Sequence, residues 1–290
     1  MEMVGQRPAQ AAARLPAGIW QALSSHWPEY LMEAAELGMF MVAACVFTVA
    51  LESPSSAIRQ ALGDPLLRRA LMGLAMGSTA IALIYSPWGK QSGAHFNPGI
   101  TLSFLYLGKI RPWDAVFYVT AQFIGGVSGV LLAATVLGSV LAHPGVNYAA
   151  TLPGVGGVGW AFLAEAVISF LLMTVVLTSS NNMRLASFTG MFAGLLVATY
   201  ITLEAPVSGM SMNPARSLAS AVPGRLWTGL WIYFTAPPLG MLAAAAIFRR
   251  LRGVQAILCA KLHHLNDKRC IFRCGFAEIP QASFRASASN

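Results

Sequence analysis

Two asparagine–proline pairs, Asn97-Pro98 and Asn213-Pro214, are the residues of this 290-residue chain whose type and setting point first to chemistry. Asparagine is among the strongest helix N-caps and proline is favoured at the first helical position, so each pair reads as the start of a helix. A helix N-terminus carries about half a positive charge and several unpaired N–H groups. Two such ends set tip to tip in an apolar medium would repel cations and donate hydrogen bonds to a neutral molecule. Arg216, just after Asn213, adds a full charge at a depth where one costs roughly 2.5 kcal/mol or more. Either it snorkels to an interface or it lines a wet passage.

Glu36 and Glu165 each stand early in an apolar run. They have two readings: a proton relay of a coupled transporter, or acceptors for the backbone N–H groups of a neighbouring loop. Ser211 follows Gly209-Met210, but Met212 stands where a nucleophile elbow needs glycine. The mid-chain histidines, His95 and His143, offer Ser211 no convincing partner, so no enzyme is expected. His95, two residues before Asn97, is read as a hydrogen-bonder that steadies the loop or faces the passage. Near the C-terminal end, Cys259, His263, His264, Cys270 and Cys274 are the residue types of a zinc site. Their spacing matches no standard finger, so the expectation is a plain basic tail meeting anionic lipid, with no metal or other cofactor.

Composition supplies the elements that must position these residues. Hydrophobic residues make up 56% of the chain and charged residues 10%, less than half the ~25% that coats a soluble domain. The same figures exclude disorder. A disulfide-stapled secreted fold is excluded because three of the four cysteines lie at or beyond residue 259. An integral membrane protein remains. Apolar runs recur at about 31–51, 66–86, 113–138, 158–178, 186–204 and 227–248, each long enough to span. Two shorter stretches, about 96–107 and 212–222, would cover only ~17 Å of a ~30 Å hydrocarbon core. They cannot cross alone.

The order is a duplication. Each half holds two spans with a carboxylate in the first, then a short stretch opening with Asn-Pro, then a third span. Three spans per copy is an odd number, so the second copy inserts upside down and the two short helices enter from opposite sides. Gly73/Gly77, Gly125/Gly129, Gly190/Gly194 and Gly240/Ala244 are small-xxx-small pairs at matching positions, which let helix backbones approach closely. The repeats are placed at about 30–145 and 158–250, with tails at 1–29 and 251–290. The first tail lacks the long apolar core of a cleaved signal peptide.

The net charge is +8, and eight of the 19 lysines and arginines follow residue 248. With both tails cytoplasmic, the inside holds those eight together with Arg7, Arg14, Lys90, Lys109, Arg111 and Arg184. The outside holds Arg59, Arg68, Arg69, Arg216 and Arg225. That bias places both termini inside, in a plasma (cell inner) membrane, and explains the basic tail without nucleic acid.

The segments Ser92-Gly93-Ala94-His95-Phe96-Asn97-Pro98-Gly99 and Ser208-Gly209-Met210-Ser211-Met212-Asn213-Pro214-Ala215-Arg216-Ser217 closely resemble the paired Asn-Pro-Ala loops of the aquaporin, or major intrinsic protein, family. The resemblance covers about residues 30–250. It implies an all-α membrane protein with six transmembrane helices and two re-entrant half-helices in an inverted repeat, four copies assembling with one pore each. It also implies that Glu36 and Glu165 serve their loops and that Arg216 lines the narrowest, outer part of the pore. Counting without gaps from the asparagines then puts Gly77, Ile201 and Met210 in that filter, with Met76 replacing Gly77 after a one-residue shift.

Water-selective members typically carry an aromatic residue and a histidine where Gly77 and Ile201 fall, so the opening is expected to be wider and less polar. Ser217 stands where glycerol facilitators typically carry aspartate. Gly99 replaces the usual alanine at a cost of up to ~1 kcal/mol in helix propensity. The resulting expectation is a passive channel for water, with small neutral solutes as candidates. Its rivals are a facilitator for glycerol or another polyol, and an ion- or proton-coupled transporter.

Overall fold

The computed structural model describes residues 18–276. Arg7, Arg14, Arg285 and the first 17 residues of the expected N-terminal tail lie outside them. Six long helices carry the chain back and forth: α1 (Ile19–Glu52), α2 (Pro65–Tyr85), α4 (Pro112–Leu137), α5 (Gly157–Ser180), α6 (Thr189–Leu203) and α8 (Leu230–Arg252). Each is long and apolar enough to cross a membrane, α6 with its leading 3-10 turn Ala186–Phe188 included. Between them sit two short helices, α3 (Pro98–Tyr106) and α7 (Pro214–Gly224). At 9 and 11 residues they are about 14 and 16 Å long, half a hydrocarbon core. They are the two re-entrant half-helices.

The packing follows the repeat. Within the first half α1 lies on α4, within the second α5 lies on α8, and α2 meets α6 across the two. Half-helix α3 rests on α8, and α7 rests on α4, so each tip is held by a span of the other half. The expected small-residue pairs make these contacts. A side chain at Gly125 would run into the Ala34 carbonyl of α1, and one at Gly240 into the Ala166 carbonyl of α5. A Cβ at Gly77 would stand 2.5 Å from the Gly194 carbonyl, and one at Gly194 would stand 2.6 Å from that of Gly77.

Two elements differ from the reading of the sequence. The first helix starts at Ile19 and takes in residues 19–29, which hydropathy assigned to the tail. The polar residues there are paired: His26 Nδ1 lies 2.8 Å from Asp114, and the Tyr30 hydroxyl donates to the same carboxylate at 2.6 Å. Glu29 accepts from Gln91 and pairs with Arg269 at 3.3 Å. A hydropathy scale cannot see such partners. The described part of the C-terminal tail packs back onto the helices. After α8 it folds back as residues 254–276, and Arg269 donates to the Ser25 carbonyl at the start of α1.

Candidate pore and its re-entrant loops

Local sequence builds the two loops alike. Asn97 caps α3 by accepting from the Gly99 N–H at 2.8 Å, and Asn213 caps α7 by accepting from the N–H groups of Ala215 and Arg216. Pro98 and Pro214 take the first helical position, where no N–H is needed. Before each cap the chain is left-handed at Gly93, Ala94 and Phe96, and again at Gly209, Met210 and Met212. Non-glycine residues at positive φ are costly and persist only where their surroundings hold them.

The holding groups are carboxylates. Glu165 accepts from the N–H groups of Ser211 and Met212, both at 2.7 Å, and from the Ser208 hydroxyl. In the first half that task belongs to Glu33, which accepts from the N–H of His95 at 2.8 Å and of Phe96 at 2.7 Å. Glu36, expected to do this, takes only the Ser92 hydroxyl. The two glutamates lie one turn apart on one helix face, and position alone does not distinguish them. Gln122 completes the shell of Glu33 at 2.7 Å. The Tyr118 and Tyr233 hydroxyls donate to the Ser92 and Ser208 carbonyls in the two halves. None of these four was singled out in the sequence, although the Ser-Gly pair five residues before each asparagine was a visible signal.

The two tips meet. Asn97 Nδ2 donates to the Met212 carbonyl at 2.8 Å, and Asn213 Nδ2 donates to the Phe96 carbonyl at 2.7 Å. Both asparagines line one cavity of about 340 Å³, which runs from Glu52 and Arg69 at the α1–α2 junction to Ile84 at the far end of α2. Gly99, Pro98, Pro214 and Ala215 are buried behind the caps. The Ser211 hydroxyl is engaged by the Asn213 carbonyl and the Ser217 hydroxyl.

Of the expected filter, Ile201, Met210 and Arg216 are on the cavity wall. Gly77 is not. It faces α6 at the Gly194 crossing, and Met76 takes the wall position. A glycine that lets two backbones touch has no free face to turn toward a lumen. Arg216 has a buried Nη1 with no protein partner among the described residues.

At the Ile84 end the tail closes over the cavity. Leu262 is part of the wall, and its N–H donates to the Gly93 carbonyl at 3.1 Å. His95 lies between the rings of Phe104 and Phe272, at 5.2 and 5.4 Å. Its Nε2 donates to the Ala260 carbonyl at 2.8 Å and its Nδ1 faces the Thr101 hydroxyl. It is thus both a loop-steadying and a wall residue, clamped by the tail. The Lys261 ammonium is buried and donates to the carbonyls of Lys90, Lys268 and Arg269, and burial lowers its pKa.

Cys259, His264, Cys270 and Cys274 come together in the tail, whereas His263 packs edge-on against Tyr85. Hydrogen bonds from the Cys259 and Cys270 thiols hold Cys274 far below the ordinary thiol range, while burial pushes Cys259 well above it.

Comparison with known proteins agrees with this geometry. The Major intrinsic protein family model matches residues 20–248. Aquaporin NIP2-2 of Zea mays is 40% identical over 189 residues, covering 63% of this chain and 60% of that protein. Glycerol uptake facilitator protein-like 6 of Lactiplantibacillus plantarum is 35% identical over 187 residues, covering 60% and 81%. The match thus spans about three fifths of the plant relative's length and more of the bacterial one. The X-ray structure of the aquaglyceroporin from Plasmodium falciparum shares the fold, with a TM-score of 0.63 at 17% identity over 80% of this chain and 99% of that one. With the family model covering most of its length, the chain belongs to the major intrinsic protein family, whose members are passive channels and not enzymes.

Proposed function

We propose that this chain conducts water passively, with small neutral solutes as further permeants, and excludes protons and cations. The observation that carries this reading is the reciprocal contact of the two half-helix tips on one cavity wall, with both asparagine caps and Arg216 beside it. The fixed charge of Arg216 and the two helix N-termini form an electrostatic barrier to cations at the narrowest place. A molecule that is neutral and can accept a hydrogen bond meets donors there.

Polyol conduction is the second reading, and the wall composition favours it. Met76, Ile201 and Met210 line the same cavity as Arg216, with no aromatic ring and no histidine among these four, an apolar surface suited to a carbon chain. Ser217, where glycerol facilitators typically carry aspartate, speaks against it. Coupled transport has less support, because of its two candidate relays Glu165 is engaged by the Ser211 and Met212 N–H groups and Glu36 by the Ser92 hydroxyl. The lysine and arginine bias supports cytoplasmic termini, the membrane is taken to be the plasma membrane, and the family resemblance supports a homotetramer.

The test is osmotic. Proteoliposomes holding the full chain, or a chain ending at Arg252, are shrunk in sucrose and swollen in glycerol by stopped flow. Fast shrinkage without glycerol entry supports a water channel, and fast entry of glycerol supports the polyol reading. Permeation that requires an ion or pH gradient would overturn both.

A further inference from the structure

The tail gathers four metal-binding side chains at one point. One ligand atom from each of Cys259, His264, Cys270 and Cys274 lies within 4.8 Å of all the others. Cys259 Sγ is 3.6 Å from Cys270 Sγ, and Cys274 Sγ is 3.6 Å from His264 Nε2. Metal–sulfur bonds of ~2.3 Å in a tetrahedron put neighbouring ligands about 3.7 Å apart. A disulfide would need ~2.05 Å, and all the cysteines are free.

Lys261 lies beside this cluster in the chain. The residue is 1% exposed, and its ammonium donates only to carbonyl groups. A buried charge with neutral partners needs a counter-charge nearby. Three thiolates and a neutral imidazole around a divalent cation carry a net charge of minus one, which meets that need.

We propose that Cys259, His264, Cys270 and Cys274 bind a zinc ion, and that this ion holds the tail as a plug in the pore mouth. Three sulfurs and one nitrogen in a closed four-coordinate set are the ligands of structural zinc. Residues 257–275 contain no helix or strand that would fix their shape. The plug residues lie between the ligands: Ala260 and Leu262 between Cys259 and His264, and Phe272 between Cys270 and Cys274. An ion joining those four side chains fixes both plug segments against His95 and Gly93. The zinc site stands on the tail geometry alone, whereas the plug rests on the channel reading.

The experiment uses the full chain, purified in detergent under reducing conditions, loaded with zinc and desalted. Metal counting should give about one zinc per chain, lost in Cys270→Ser and in His264→Ala and kept in Cys45→Ser and His263→Ala. Cobalt(II) in its place should show the absorption of a tetrahedral thiolate site. In proteoliposomes, stripping the zinc should raise water flux several-fold, and Cys270→Ser should match the stripped protein. A reduced wild type without zinc, or ligand variants that hold as much as wild type, would overturn the site. Bound zinc with flux unmoved by stripping would overturn the plug. If the full chain conducts neither with zinc nor stripped of it, the channel reading and the plug fall together, and the zinc count still decides the site.

Discussion

Asn97 and Asn213 each hold the other's loop: the amide of one donates to the carbonyl before the other, at 2.8 and 2.7 Å. Because each asparagine also caps its own half-helix, one side chain sets a helix start and joins the two halves of the repeat.

Replacing Asn97 should therefore separate the two tasks. Asn97→Ala loses the cap and the cross-loop bond, about 1 kcal/mol each, whereas Asn97→Asp keeps an acceptor for the cap. Thermal unfolding in detergent should rank wild type above Asn97→Asp and Asn97→Asp above Asn97→Ala. Equal melting of all three would contradict the linkage.

Glu33 and Glu36 should differ sharply. Glu33→Ala leaves the His95 and Phe96 N–H groups and the Gln122 amide without their acceptor, at roughly 1–3 kcal/mol for each buried donor. Glu36→Gln keeps an oxygen for the Ser92 hydroxyl and should cost little. Yield and melting temperature of the two variants check this, and similar losses from both would count against the assignment of the first-half loop to Glu33.

The spans and the paired half-helices were legible in the sequence because apolar run length and Asn-Pro caps are local signals. Choosing between Glu33 and Glu36, or between Met76 and Gly77, needs the rotation of a helix about its axis. That rotation is set by packing: Gly77 is drawn to the Gly194 backbone, and Met76 turns to the cavity as a consequence. The tail was illegible for another reason. Its contacts with Gly93, His95 and Lys109 join residues far apart in the chain, and no periodicity announces them. The start of α1 was hidden because its polar side chains find partners on other helices.

Variants at the two neighbouring positions should have opposite phenotypes. Met76→Ala removes bulk from the wall and should raise glycerol flux with little change in stability. Gly77→Leu drives a side chain into the α6 backbone and should destabilise the protein or abolish its expression. Glycerol swelling and melting curves test both, and a stable, permeable Gly77→Leu would put that position back on the pore wall.

Phe272 covers one face of His95 and crowds Gly93. Phe272→Ala should raise water flux several-fold in the full chain, because the ring that presses on His95 and Gly93 is removed while every metal-binding side chain remains. Unchanged flux, measured by stopped flow, would mean that this ring does not obstruct passage.

The central claim is that neutral molecules pass between the two half-helix tips without a driving ion. Stopped-flow shrinkage of proteoliposomes holding the full chain stripped of metal, measured with and without a pH gradient alongside proton leak, tests it most directly. The account predicts fast water flux with a low activation energy, indifferent to the gradient, and a proton leak that rises only in Arg216→Val. Flux that appears only with the gradient, or a leak that Arg216→Val leaves unmoved, would contradict it.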